Sequence, residues 1–383
     1  MRRRYHRRAE RWQRRAGVVA PATRLLYSSL MKSWFGATPS TQADTRISLK
    51  DQWSFNAIFF MRHFLPDNAR LRRWSEEVRR RTAEAVEGRG PGAVVPVERV
   101  PGLTPAEFQR RFLSTGTPVI FPRAAAGWPS AERWTLDEFK RRFGDKTIRL
   151  VHQQGLTDDE LDPDEIERWE EMNFGEFLDQ TIEPGGKYMR FSPLLEQFPE
   201  LLDDLSQDFL KTMPGRTLGQ TFMMFIGGPK TMTPMHNSPV PFFFVNVTGV
   251  KKWRLVSNRW MPLLDPAPSG FGYNHSGADF DAPDADGFPG LGSVDRWEAT
   301  LEPGDVMYVP SWLWHCVANE TPTIGVRCGF ISPRGAWAES PALFTVHILA
   351  ARNPTVWEGL YRAFIKKDFK DRDKMFASPS VLR

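Results

Sequence analysis

The sequence predicts a mainly β protein, an antiparallel sandwich or barrel with helices added around it. The second half of the chain is a series of short runs rich in Phe, Val, Thr and Ile, separated by Gly, Pro and Asn turns. The first half carries short helical patterns with recognisable caps. Because the helices precede the strands and do not alternate with them, a β-barrel decorated by helices is favoured over repeated βαβ units.

The strand pattern recurs along residues 221–330. Each run is six to nine residues long and ends at a turn-forming residue, which is typical of the strands of an antiparallel barrel. In chain order the runs are TFMMFIG, PFFFVNVTG, KKWRLVS, RWEATLEPG, DVMYVPS, HCVANE and TIGVRCGF. Two earlier runs, TPVIF and IRLVH, are predicted to be strands as well.

Helical patterns fill the region before these runs. In segment 65–88, Leu71, Trp74 and Val78 recur at helical spacing and Gly88 ends the pattern. Thr104 is the predicted N-cap of a short helix, and segment 130–145 is predicted to be a single capped helix.

Composition shifts divide the chain into three parts. GRGPG at 88–92 is the predicted linker into the barrel. The predicted parts are a basic tail with a helical extension at 1–90, the barrel domain at 91–335 and a C-terminal helical extension at 336–383.

The positive charge of the chain is concentrated at its start. The net charge is +5, but residues 1–15 alone carry +7, which leaves −2 on the rest. The body is therefore not predicted to bind nucleic acid, and the tail is interpreted as a solvated segment that could contact nucleic acid or an acidic membrane surface. The acidic segment 157–171 is interpreted as a solvated loop and helix face.

Several classes of protein are excluded. No apolar run reaches the 18 residues of a membrane span. Segment 16–35 is interrupted by Pro21 and Arg24, so no export signal is predicted. Cys316 and Cys328 are too few for a disulfide scaffold or a four-ligand zinc site, so a cytoplasmic location is predicted.

Two histidines stand where strand patterns begin or end. His236 lies at the head of a very apolar strand, and His315 follows a turn of Pro and aromatic residues. Imidazoles on two strands can converge in the mouth of a barrel, where a metal ion needs fixed nitrogen ligands. A hydrogen-bonded core histidine is the alternative for each.

The sequence motifs around these histidines resemble those of a known family. PGDVMYVPSWLWH and TPMHNSPVPFFFVNVTGVKKWRLVS resemble the two histidine signatures of the cupin-like and JmjC-like iron(II)/2-oxoglutarate oxygenases. Upstream segments such as TGTPVIFPRAAAGWPSAERW resemble the N-terminal part of that domain. The segment SGADFDAPDADGFPGL resembles an insertion of asparaginyl-hydroxylase-like members. The resemblance covers about 94–332 and implies a double-stranded β-helix, or jelly roll, with its core at about 180–332.

The resemblance also implies site residues. His236 and His315 fall on the metal-binding histidines of the family, whose third iron ligand is a carboxylate. That position is Ser238 here, and a serine hydroxyl is a weak ligand without charge. Asp279 and Asp281 belong to the insertion and are not assigned as ligands.

The cosubstrate positions match better. Lys251, fifteen residues after His236, falls on the lysine that binds 2-oxoglutarate, and Thr233 and Tyr188 match the hydroxyl positions that assist it. Arg327, where family members often carry Asn, is predicted to add a second cation for an anionic ligand, with a structural salt bridge as the alternative.

Three functions remain open from the sequence. The first is an oxygenase that uses iron(II) and 2-oxoglutarate to attack an unactivated C–H bond, as a hydroxylase does. The second is a halogenase with chloride in the position vacated at Ser238. The third is a cupin-like binding module without catalysis. The predicted partner is a small-molecule or peptide substrate, and a homodimer is left open.

Overall fold

Two facing β-sheets form the centre of the molecule. The computed structural model describes residues 47–350 apart from 64, 66–67, 89, 152–168 and 268–273, so the basic tail and most of the acidic segment lie outside the described residues. The strands are β1 Val94–Pro96, β2 Glu98–Arg99, β3 Val119–Phe121, β4 Thr147–Val151, β5 Trp169–Asn173, β6 Tyr188–Ser192, β7 Gln220–Gly227, β8 Met232–Asn237, β9 Phe242–Thr248, β10 Lys251–Val256, β11 Asn274–His275, β12 Arg296–Leu301, β13 Val306–Val309, β14 Trp314–Asn319 and β15 Thr323–Phe330.

Successive strands alternate between the two sheets. One sheet has the order β1-β12-β10-β14-β8-β11 and the other the order β2-β3-β13-β9-β15-β7-β6. From β7 to β10 and from β12 to β15 the chain crosses from one sheet to the other at every step. This connectivity is that of a jelly roll, so the predicted fold class is confirmed. β1, β2 and β3 extend the sheets beyond the predicted core at 180–332, and β4 and β5 form a separate pair.

Strand alternation turns Lys251 inward. Along β10, Lys251, Trp253 and Leu255 are buried, whereas Lys252 is exposed. Because successive side chains of a strand point to opposite faces, only one of the two neighbouring lysines can enter the barrel. The ammonium group of Lys252 instead reaches Glu320 at 3.0 Å.

Helices surround the sheets. They are α1 Leu49–Arg62, α2 Ala69–Glu87, α3 Pro105–Phe108, α4 Pro129–Arg133, α5 Leu136–Phe143, α6 Phe174–Thr181, α7 Leu194–Gln197, α8 Gln207–Thr212, α9 Met261–Leu264, α10 Pro333–Glu339 and α11 Pro341–Ala350. α2 matches the predicted helix, with Asn68 as its N-cap. Thr104 is the N-cap of α3, as predicted, and the structure adds a capping box with Glu107. The division at residues 90 and 335 stays a prediction.

The single helix predicted over 130–145 is wrong. The structure has two helices there, because the backbone of Trp134 leaves the helical region at φ −94° and ψ 83°. The indole nitrogen of Trp134 donates a hydrogen bond to buried Asp204 at 2.9 Å, and Thr135 caps the second helix. A tertiary contact therefore overrides the local helical pattern.

Apolar contacts attach the added helices to the barrel. Phe55 of α1 and Val78 of α2 share one buried cluster with Met261 and with Trp314 of β14. The indole of Trp312 donates to the Ala336 carbonyl of α10 at 2.9 Å. In the described part of the chain, no helix is both long enough and apolar enough to cross a membrane.

We expect Glu339→Gln to stabilise the protein at alkaline pH. Burial raises the pKa of Glu339 to about 8 from an ordinary value of 4.5, and the Tyr308 hydroxyl donates to its carboxyl at 3.1 Å. A raised folded-state pKa gives stability that is complete below pH 4.5 and is lost as the pH rises to about 8, at up to about 1.4 kcal/mol per pH unit.

Glutamine keeps an acceptor and cannot ionise. Urea unfolding at pH 4.5 and pH 8.5 should therefore give similar stabilities for the two proteins at the lower pH and a more stable variant at the higher one. Parallel stability curves for the two proteins over this range would contradict the assignment.

Candidate metal and dicarboxylate site

Two histidines face each other at one end of the barrel interior. β8 and β14 are antiparallel neighbours in which His236 is paired directly with His315. The centroids of the two imidazole rings are 4.1 Å apart, and both side chains are buried. The structure thus brings the two predicted metal ligands together, while their role in metal binding stays a prediction.

Backbone carbonyls fix the orientation of both rings. Nδ1 of His236 lies 2.8 Å from the Pro234 carbonyl, and Nδ1 of His315 lies 2.8 Å from the Leu313 carbonyl. A carbonyl oxygen can only accept, so Nδ1 carries the proton in each ring and Nε2 keeps its lone pair. In this tautomer, Nε2 is the nitrogen available to bind a metal ion.

Both imidazoles are neutral at ordinary pH. Burial lowers the pKa of His236 well below its usual value, and the neighbouring His315 lowers it further. Burial likewise lowers the pKa of His315 to about 4. Two neutral nitrogen donors are therefore available.

The predicted carboxylate position contains a serine bonded to an arginine. Ser238 Oγ accepts a hydrogen bond from Nη2 of Arg327 at 3.2 Å and lies 3.2 Å from the amide nitrogen of Val240. Arg327 is 4% exposed, donates to the Val240 carbonyl at 3.1 Å and lies with its guanidinium carbon 4.7 Å from the centre of the Phe242 ring. A guanidinium therefore lies beside the position where the family pattern has a carboxylate.

A buried ammonium group lies at the other end of the same interior. Nζ of Lys251 donates to Oδ1 of Asn319 at 2.6 Å and lies 5.4 Å from the centre of the Tyr188 ring. Thr233 Oγ1 donates to the Tyr188 hydroxyl at 3.3 Å. Burial lowers the pKa of Lys251, so the charged form favours an anionic ligand beside it.

A mostly apolar pocket contains the two imidazoles and extends to Tyr188, whose ring lies near Lys251. None of its described lining residues is acidic, and six of them are residues predicted from the sequence. The lining consists of Tyr188, Phe191, Phe225, Thr233, His236, Ser238, Phe242, Phe244, Trp253, His315, Val317 and Arg327.

Sequence reasoning missed three polar residues of the site. Asn319 holds Lys251, and His275 pairs with His236 across β11 and β8 with ring centroids 6.0 Å apart. Arg190 is buried, and after the larger effect of burial its charge lowers the pKa of both His236 and His275. β11 spans only two residues, so no periodic pattern could have marked His275.

A third metal ligand is missing from the described residues. Within them, no group of three or more His, Cys, Asp or Glu side chains is placed to hold one ion. His275 therefore does not replace the carboxylate. The two imidazoles suit an iron(II) ion, and the Lys251 end suits a dicarboxylate, whereas the Ser238 position does not suit the family's metal set.

A jelly roll with two inward imidazoles and a buried lysine defines the class of JmjC-like oxygenase domains. The family model of the cupin-like domain matches residues 105–330, so the chain belongs to the cupin-like family. Iron(II) and 2-oxoglutarate are the cofactors of the JmjC proteins in it, in agreement with the predicted cofactors.

Relatives with known names support this class. The chain is 28% identical over 241 residues to lysine-specific demethylase JMJ30 of Arabidopsis thaliana, covering 60% of this chain and 53% of that protein. It is 26% identical over 216 residues to lysine-specific demethylase 8 of Xenopus tropicalis, with 55% and 47% covered. HSPB1-associated protein 1 of Rattus norvegicus is 29% identical over 247 residues, with 59% and 50% covered.

The chain spans about half the length of these relatives. They support the general class of 2-oxoglutarate-dependent oxygenases and do not support a halogenase.

We expect the free energy of unfolding to fall as the pH drops from 6.5 to about 4. Burial lowers the pKa of His275, His315 and His347 to about 4, from 6.5. A lowered histidine pKa means that the unfolded chain binds protons first, so stability is complete above pH 6.5 and declines below it. Each histidine contributes up to about 1.4 kcal/mol per pH unit.

Urea unfolding of the protein and of His275→Gln at pH 7 and pH 5 measures this effect. The variant should lose less stability between the two pH values than the parent protein. An equal loss in both would show that His275 does not contribute.

Proposed function

We propose that the protein is a 2-oxoglutarate-dependent oxygenase of the hydroxylase type, acting on a C–H bond of a small-molecule or peptide substrate. One observation carries this proposal. Two neutral imidazoles line a largely apolar pocket, and the buried ammonium group of Lys251 lies 5.4 Å from the ring of Tyr188, which lines the same pocket. This is the arrangement that a metal ion and a dicarboxylate need side by side.

The side chains have separable roles in this proposal. His236 and His315 hold the iron ion, which when bound supplies the oxidising chemistry of the family. Lys251 binds the far carboxylate of 2-oxoglutarate, and Thr233 and Tyr188 orient it through their hydroxyl groups. The aromatic walls exclude water, so each charge contact is stronger than it would be in solvent.

The peptide alternative is favoured for the substrate. The names of two relatives concern lysine demethylation, which is oxidation of a C–H bond of an N-methyl group. A methyl-lysine peptide is therefore the first probe to use.

A binding module without turnover is the second candidate. The contact between Arg327 and Ser238 favours it, because a guanidinium beside the third ligand position opposes a dication. The halogenase alternative gains no support from the relatives.

We expect Lys251→Ala to weaken 2-oxoglutarate binding by roughly 10- to 100-fold, the usual effect of losing a charge-assisted contact. The measurement is calorimetry under anaerobic conditions with iron(II). Lys252→Ala is the matched control, because its ammonium group points outward, and it should bind as the parent protein does. Equal losses in both variants would overturn the assignment of Lys251.

Turnover decides between the two candidate functions. The parent protein with iron(II), 2-oxoglutarate and oxygen should form succinate, and the paired variant His236→Gln/His315→Gln should not. Rates should be the same with and without chloride. Binding of 2-oxoglutarate without succinate formation, tested with and without the methyl-lysine peptide, would favour the binding module.

A further inference from the structure

Arg190 is a buried cation without a counter-charge in the described part of the chain. The residue is 6% exposed, and its Nε atom has no hydrogen-bond partner there. Burial lowers its pKa, and no carboxylate of the described residues acts on it. A lysine in this position could lose its proton, whereas a guanidinium stays charged in proteins. An anion bound beside Arg190 would therefore remove a cost that the protein alone cannot relieve.

Arg190 lies on β6, the edge strand that carries two side chains of the pocket lining. Tyr188 lies near Lys251, and the ring of Phe191 lies edge-on to His236 at a centroid distance of 5.7 Å. The strand therefore runs from the ammonium group toward the imidazoles. Arg190 does not line the pocket itself, and it lies about 7 Å along the strand from Tyr188. The anion that suits Arg190 is thus separate from the proposed cosubstrate at Lys251.

The backbone of β6 is irregular at this point. Its pairing with β7 shifts register between Met189 and Ser192, and Phe191 has a φ of 52°. A left-handed backbone is unusual for a bulky residue, and a bulge redirects the side chains around it. Regular alternation would turn Arg190 and Phe191 to opposite faces, whereas here both act on His236. Strain of this kind is often kept where side chains must be aimed at a ligand.

Three imidazoles lie in one row beside Arg190. His275, His236 and His315 are paired in register across β11, β8 and β14. The charge of Arg190 lowers the pKa of His236 and of His275 after the larger effect of burial. His275 is half-buried, so a ligand can approach Arg190 from the His275 side of the row. A neutral imidazole also carries an N–H group that can donate to an anion held by the guanidinium.

We propose that Arg190 and His275 bind a carboxylate of the substrate, so that the protein acts on molecules with an acidic group near the C–H bond that is attacked. The planar guanidinium suits a carboxylate, whose single charge balances it, and it repels the ammonium group of a methyl-lysine. The substrate class rests on the proposed function, whereas the carboxylate site does not. An acidic peptide side chain and a small free acid share this chemistry, and the experiments separate them.

Propionate tests the carboxylate site without turnover. It mimics a glutamate side chain, and propionamide is its uncharged analogue. In metal-free buffer at constant ionic strength, propionate should raise the melting temperature of the parent protein saturably, and propionamide should not. Arg190→Gln should raise the apparent dissociation constant of propionate by roughly tenfold or more, whereas Lys251→Ala should change it by less than about threefold.

Two further variants separate binding from folding. Arg254→Gln is the matched control, because Arg254 also lies on a barrel strand but is paired with Asp281 at 2.5 Å. It should respond to propionate as the parent protein does. Arg190→Met removes the buried charge and keeps a long side chain, so without propionate it should melt at a higher temperature than the parent protein. A lower melting temperature of Arg190→Met would show that Arg190 supports the fold, and it would overturn the proposal.

Matched peptides test the substrate class. Three peptides of one sequence carry Glu, Gln or trimethyl-lysine at the same central position, and succinate formation is measured with iron(II), 2-oxoglutarate and oxygen. We expect kcat/KM to be roughly tenfold higher with Glu than with Gln and lowest with trimethyl-lysine. Arg190→Gln should bring the ratio of Glu to Gln close to one. Free glutamate is tested beside the peptides, and stimulation by it alone would identify a small acid as the substrate.

The inference and the proposed function fail on different results. If propionate binds through Arg190 but no condition gives succinate, the carboxylate site stands and the proposed oxygenase function is wrong. If succinate forms equally with all probes and propionate does not bind, the proposed function stands and the inference is wrong. Propionate binding that Arg190→Gln leaves unchanged would also overturn the inference.

Discussion

The antiparallel pairing of β8 with β14 determines the geometry of the whole site. It sets His236 opposite His315, and a shift of one residue in this register would turn one of the two rings out of the barrel. The same β14 pairs on its other side with β10, which brings Lys251 opposite Asn319. One central strand therefore fixes both the imidazole pair and the ammonium group, and it also fixes the distance between them.

Burial then decides the chemistry of these groups. The pocket is lined largely by aromatic side chains, and burial keeps its two histidines neutral. Neutral imidazoles tolerate either a metal ion or an empty interior. Burial disfavours the charged form of Lys251, so an anionic ligand beside it would stabilise its ammonium group.

Sequence reasoning reached the parts of the site that lie on regular strands. Alternation along β10 predicts that one of Lys251 and Lys252 points inward, and short apolar runs between turns predict the barrel itself. The sequence did not predict the roles of Asn319, His275 and Arg190, because these roles depend on which strands become neighbours. The helix break at Trp134 was not predicted for the same reason, since it depends on a hydrogen bond to Asp204, seventy residues away.

Ser238 and Arg327 both differ from the residues that the family pattern has at these positions. Neither difference can be interpreted without the other. From the sequence, Ser238 is a lost ligand, so the halogenase and the binding module stay open beside the favoured oxygenase. In the structure, Ser238 is the acceptor of a buried guanidinium, so the two positions act as one unit. A carboxylate at 238 would pair with Arg327 in the absence of a metal, whereas an uncharged residue at 327 would remove the hydrogen bond that Ser238 now accepts. The polarity at this end of the pocket therefore depends on both residues together, and neither position can be interpreted without the other.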